Sequence, residues 1–195
     1  PLKQAADGIS LMAFFTFFWV FLAEIALEGR DRWLLGVLFG VVLLLLLAQY
    51  FKFNAAAKKL PADTSGGEED PAKKNEGRRF LVIFLLTGVA IVVIKNVLAN
   101  TGLDAYFIPC FALIVGLHFF PLARLFKQTF YYYIGIYMTL VALAGIGLTY
   151  QGAIWPAWLI TAGVGIACAL GTSLNGVRIV IRANRLIQDD NIAIN

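Results

Sequence analysis

The sequence predicts an all-α integral membrane protein, a bundle of six transmembrane helices. Three observations carry that fold class. Of 195 residues, 60% are apolar and only 14% are charged, against about 25% charged in an average soluble domain. Mean hydropathy is +0.78. Residues 128–177 form a run of 50 without a single charge. A soluble globule of this size lacks the polar complement to cover its surface. Disordered chains are poor in apolar residues. Both classes are excluded for the chain as a whole.

A spanning helix needs about 20 mostly apolar residues to cross ~30 Å of hydrocarbon. Residues 9–27 supply the first, with Glu24 inside it, and residues 33–51 the second, with no charge. Residues 80–99 form the third, containing Lys95, and residues 105–123 the fourth, containing His118. The long uncharged run is too long for one helix. Tyr150-Gln151-Gly152 and Trp155-Pro156 divide it into helices over 129–150 and 154–175. Backbone groups in hydrocarbon must be satisfied internally, which leaves helices as the form for such runs. The first run lacks a small-x-small cleavage site and is read as an uncleaved helix. Residues 52–79 read as a flexible cytoplasmic loop whose centre, 61–71, has linker composition. Residues 176–195 read as a basic cytoplasmic tail.

Lys and Arg retained on the cytoplasmic side set orientation. With six spans, thirteen basic residues fall on the side of both termini, and only Arg30 and Arg32 fall on the other. Both termini are therefore expected in the cytoplasm.

A charge at bilayer depth is costly and carries a functional suspicion. Glu24 and Lys95 each lie 15 residues from the inner ends of their helices, Ile9 and Phe80. Two outward-running helices then put both ions at one depth, where a Glu24–Lys95 pair is the simplest way to carry them. The two residues read as a structural clamp or as side chains snorkelling to the outer interface, or as a site for an ion or substrate. His118 is the only histidine, three residues before Pro121. It reads either as a proton relay or polar-ligand contact beside a weakened backbone, or as a neutral imidazole satisfied within the bundle by Thr16 and Thr87.

Helix 6 carries small residues every four positions (Ala153, Ala157, Thr161, Gly165, Ala169, Ser173) and a second ribbon at Gly163, Ala167 and Gly171. Such ribbons admit close helix approach. They fit enclosure by neighbours, a homo-oligomer seam or a pore lining. Arg178, Arg182 and Arg185 share one helical face beyond it, and Arg124 closes helix 4. All four are expected at anionic lipid headgroups. Tyr131–Tyr133, Trp155 and Trp158 form interfacial belts.

Cys110 and Cys168 sit inside apolar runs and build no CxxC or Cys/His cluster. One histidine makes no metal site without further ligands. No HExxH, GxSxG, GxxxxGK[ST] or GxGxxG motif occurs. No catalytic residue, cofactor or metal is expected, and the chain reads as a non-enzyme. Nucleic-acid binding is excluded because the basic residues flank apolar runs instead of clustering on a soluble face.

Gly116-Leu-His-Phe-Phe-Pro-Leu-Ala-Arg-Leu-Phe126, followed by Tyr131-Tyr-Tyr-Ile-Gly135, resembles a segment of uncharacterised small multipass bacterial inner-membrane proteins. The likeness covers roughly residues 110–140. It implies a bacterial cytoplasmic membrane and no particular activity, and it marks His118, Pro121 and Arg124. Two functional classes then compete. The buried polar set Glu24, Lys95 and His118 points to a small permease or channel subunit for a small polar solute or ion. The ribbons of helix 6 and the basic tail point to a non-catalytic membrane scaffold or partner-binding subunit.

Overall fold

A computed structural model describes residues 2–59 and 71–193, and every long element in it is a helix. In chain order these are α1 (Leu2–Leu27), α2 (Leu34–Lys59), α3 (Pro71–Asn100), α4 (Phe107–Leu125), α5 (Phe130–Tyr150) and α6 (Ala157–Ala193). Single 3-10 turns precede α4 and α6. Among the described residues six helices are long and apolar enough to cross a membrane. The chain is an all-α integral membrane protein.

The helices outrun their apolar segments. α1 begins at Leu2, α2 continues to Lys59, and α3 opens at Pro71, where a missing N–H costs nothing because the first-turn donors are unbonded in any case. Both flanks of the segment 52–79 are therefore helical; of its linker-like centre, 61–71, Pro71 opens α3 and residues 61–70 lie outside the described residues. α6 passes Asn175 without a break and ends at Ala193. Polar residues of good helix propensity extend a helix that the apolar run has already nucleated.

The chain divides into two compact units, residues 1–64 with 169–195, and residues 65–168. In the first, α1 packs on α2 and on the C-terminal part of α6. The inward residues of α1 include Leu2, Ala6, Ile9, Ala13, Thr16, Val20, Ala23 and Leu27. Their alternating spacing of four and three is the repeat of a helix seam. Leu2, Ala6, Ile9 and Ala13 close on Leu46 and Phe53 of α2 and Ala183 of α6. The outward residues Phe14, Phe17, Phe21 and Ile25 are large, apolar and exposed.

In the second unit α4 packs between α3 and α5. Glycines set the α4–α5 approach. A Cβ on Gly116 would lie 2.9 Å from the backbone nitrogen of Thr139, and one on Gly145 would lie 2.7 Å from Val164 on α6. The Tyr137 hydroxyl donates to the Ala167 carbonyl at 2.9 Å and ties α5 to α6. Phe80, Phe126, Tyr131 and Phe119 form a row of rings spaced 6.0–6.1 Å apart.

Candidate functional site

The buried polar groups of the first unit lie in a column along α1. At one end stands Glu24, in the last turn of α1 and buried. Its Oε1 accepts the backbone N–H of Gly36, in the first turn of α2. That N–H belongs to the unbonded donors of a helix start, and a carboxylate there also meets the positive end of the helix dipole. Asp31 completes the cap, accepting from Trp33 N at 3.2 Å and Leu35 N at 3.0 Å. The second oxygen of Glu24 is buried with no hydrogen-bond partner. Beside it opens a cavity of about 380 Å³ lined by Phe21, Glu24, Ile25, Glu28, Gly29 and Trp33. Its rim is strained, since Glu28, Arg32 and Trp33 all hold positive φ, a region that side-chain-bearing residues enter at a cost of about 1–2 kcal/mol each.

Eight residues deeper, about 12 Å at the helical rise, Thr16 meets α6. Its hydroxyl hydrogen-bonds that of Thr172 at 2.8 Å. Ser173 donates to Thr16 at 3.4 Å, and Thr172 donates to the Ala169 carbonyl at 3.1 Å. The three hydroxyls thus form one directional chain, Ser173 to Thr16 to Thr172, ending on a carbonyl. A further turn inward, Asn175 donates to the Met12 sulfur at 3.0 Å and is almost wholly buried. The column ends at Lys52 on α2, which donates to Asn184 of α6 at 3.3 Å near the surface. From Glu24 to Asn184 these groups span a distance close to the ~30 Å of a hydrocarbon core.

Glu24 and Lys95 fall in different units. Within its own unit the Glu24 carboxyl meets the N-terminus of α2. Lys95 is exposed on α3, five residues from its end at Asn100. His118 is buried on the inward face of α4, its ring stacked on Phe119 at 4.9 Å and its Nδ1 without a hydrogen-bond partner. It lies 11 residues from the start of α4 at Phe107. Thr16 and Thr87 are engaged elsewhere. Thr87 donates to the Ile83 carbonyl of its own helix at 2.8 Å.

Arg124 lines a groove of about 590 Å³ between α3 and α4, together with Arg78 and Arg79. Arg178, Arg182 and Arg185 are exposed along α6. The small residues of α6 divide by depth. Gly165, Ala169, Gly171 and Ser173 are buried, whereas Ala157 and Gly163 are exposed. Among the described residues no group of three or more His, Cys, Asp or Glu side chains is placed to hold a metal.

Sequence reasoning missed Thr172, Asn175 and Asn184 as members of a site. Their signal was present, since Asn175 and Ser173 are polar residues in a helix otherwise built for lipid. What was missing was the helix face that they occupy.

A family model, described as a family of unknown function (DUF7010), matches residues 73–174, more than half of the chain. Among curated proteins and solved structures nothing matches.

Proposed function

The chain belongs to the family of unknown function DUF7010, and on that premise we propose that it is a small permease or channel subunit for a small polar solute or ion. The reading places it in the bacterial cytoplasmic membrane with both termini inside and assigns it no catalysis. One observation carries it: the column of polar side chains that is buried from Glu24 through Thr16, Thr172 and Ser173 to Asn175 and continues to the half-buried Asn184 near the surface. Polar groups at bilayer depth are expensive, and their usual use is a path for ions or substrates. A column as tall as the hydrocarbon, with an open cavity and a half-free carboxylate at one end, is supported better by conduction than by helix adhesion, which needs only one such contact.

The test is flux into proteoliposomes, with protons followed by an internal pH dye and potassium and sodium by ion-selective dyes. Wild type should conduct at least one of the three. Asn175→Leu and Glu24→Gln, checked for intact folding, should lower that flux about tenfold or more. No flux of any probe, or flux indifferent to both changes, rejects the reading.

A partner-binding subunit is the second reading, and one observation favours it. On the outer part of α6, Leu159, Gly163 and Leu170 are exposed on one face, and a Cβ on Gly163 would touch nothing within 4 Å. Small residues on an open helix face let a second helix come close. Disulfide cross-linking of Gly163→Cys in membranes, in a background lacking Cys110 and Cys168, tests this seam. Absence of a cross-linked dimer removes it.

A further inference from the structure

We propose that the groove between α3 and α4 binds an anionic phospholipid, with Arg78, Arg79 and Arg124 holding the phosphate and the apolar flank of α3 carrying an acyl chain. The proposal concerns the second unit alone and does not depend on what the chain conducts. The groove encloses about 590 Å³, within the range of about 300–1,000 Å³ usual for small-molecule sites. Three guanidinium groups line it from two helices: Arg78 and Arg79 at the start of the apolar run of α3, and Arg124 in the last turn of α4. All three are exposed. No Asp or Glu among the described residues lines the groove. Glu76, on the same helix as Arg78 and Arg79, is exposed outside it. Three like charges gathered with no carboxylate among the described lining residues repel one another, and an anion in their midst reverses that cost. Planar guanidinium forks match phosphate oxygens in pairs.

The remaining wall says which phosphate. Val82, Ile83 and Phe120 face the same groove. From Val82 an exposed apolar stripe continues along α3 through Leu86, Val89 and Val93, at spacings of four, three and four that keep one helical face. A free phosphate or a nucleotide has no use for such a track. A diacyl lipid does: its headgroup sits at the basic end of the helices and its chain lies along the stripe. Basic pockets between helices on the cytoplasmic side are suited to anionic headgroups, and the positive-inside count assigns this end of α3 and α4 to that side. The match to the family model, residues 73–174, spans all of these residues.

The test uses the full chain in detergent micelles and native mass spectrometry, with phosphatidylglycerol and phosphatidylcholine offered at equal concentration. Wild type should retain phosphatidylglycerol in preference to phosphatidylcholine. The triple change Arg78→Gln, Arg79→Gln and Arg124→Gln should weaken that retention roughly tenfold or more, as the loss of several charge-assisted hydrogen bonds implies. A matched triple in the tail, Arg178→Gln, Arg182→Gln and Arg185→Gln, removes the same charge and should weaken it much less. If the groove triple fails to fold, Arg124→Gln alone serves, with a several-fold loss expected. Equal losses in the two triples would mean that retention follows net charge, and the site would be rejected. Displacement of the lipid by millimolar inorganic phosphate would mean a free-anion site and would also overturn the proposal. So would equal retention of the two lipids by wild type.

Discussion

At the scale of single residues, Glu24 shows how a polar side chain in a membrane helix acquires a partner that composition does not reveal. Its Oε1 completes the N-terminal cap of α2 through Gly36. A Cβ at Gly36 would lie 3.0 Å from the same oxygen, close enough that the carboxylate would shift by a few tenths of an ångström. Glu24→Ala should cost about 1 kcal/mol, the usual value of a lost N-cap acceptor. Glu24→Gln should cost less, since an amide oxygen still accepts the N–H. Gly36→Ala should also cost less than Glu24→Ala, because the far end of the Glu24 side chain can give way without losing the N–H. Unfolding in mixed micelles measures all three. Wild-type stability in Glu24→Ala would show that the cap contributes nothing.

At the scale of elements, α4 and α5 pack a glycine directly against main chain. Gly116 faces the backbone nitrogen of Thr139, so a methyl at position 116 meets main chain at 2.9 Å. Main chain moves only with its helix, and overpacking of this kind costs about 1–3 kcal/mol. Gly163 is the contrast, on an exposed part of α6 with open space around it. Gly163→Ala should be neutral or raise stability by about 0.5–1 kcal/mol through helix propensity. The comparison uses one chemical change at two sites. Its expected outcome is a lowered melting temperature for Gly116→Ala and an unchanged or raised one for Gly163→Ala. The same ranking explains why two small-residue patterns that look alike in sequence differ in meaning: one is filled by a neighbour and the other faces outward.

At the scale of the whole molecule, charge asymmetry predicts a sidedness. Thirteen basic residues against two across six spans lead to the expectation that reporters fused after Asn195 and inserted near Ser65 both report the cytoplasm. A periplasmic signal at either position would reverse the orientation or break the six-span count.

Hydropathy and charge alone determined the number of spans, the helical class and the expected orientation. Those properties follow from the length of apolar runs and from the cost of moving Lys and Arg across a bilayer, and neither depends on which helix touches which. The helix ends lay further out than the apolar runs, because Lys52–Lys59 and Pro71–Arg79 carry helical backbone past the hydrocarbon. The partners of the buried polar groups were decided only by tertiary structure. In water an apolar stripe marks the inside of a helix; in lipid both faces are apolar and the stripe is lost. On α1 large apolar residues occupy both faces, Ile9, Met12 and Trp19 inside and Phe14, Phe17 and Phe21 outside, so neither polarity nor size marks the inside. Sequence depth could set Glu24 and Lys95 level, but not supply the N–H of Gly36. Nor could it bring Thr16 to Thr172, 156 positions away, because that meeting depends on how α1 and α6 rotate about their own axes as their small residues pack.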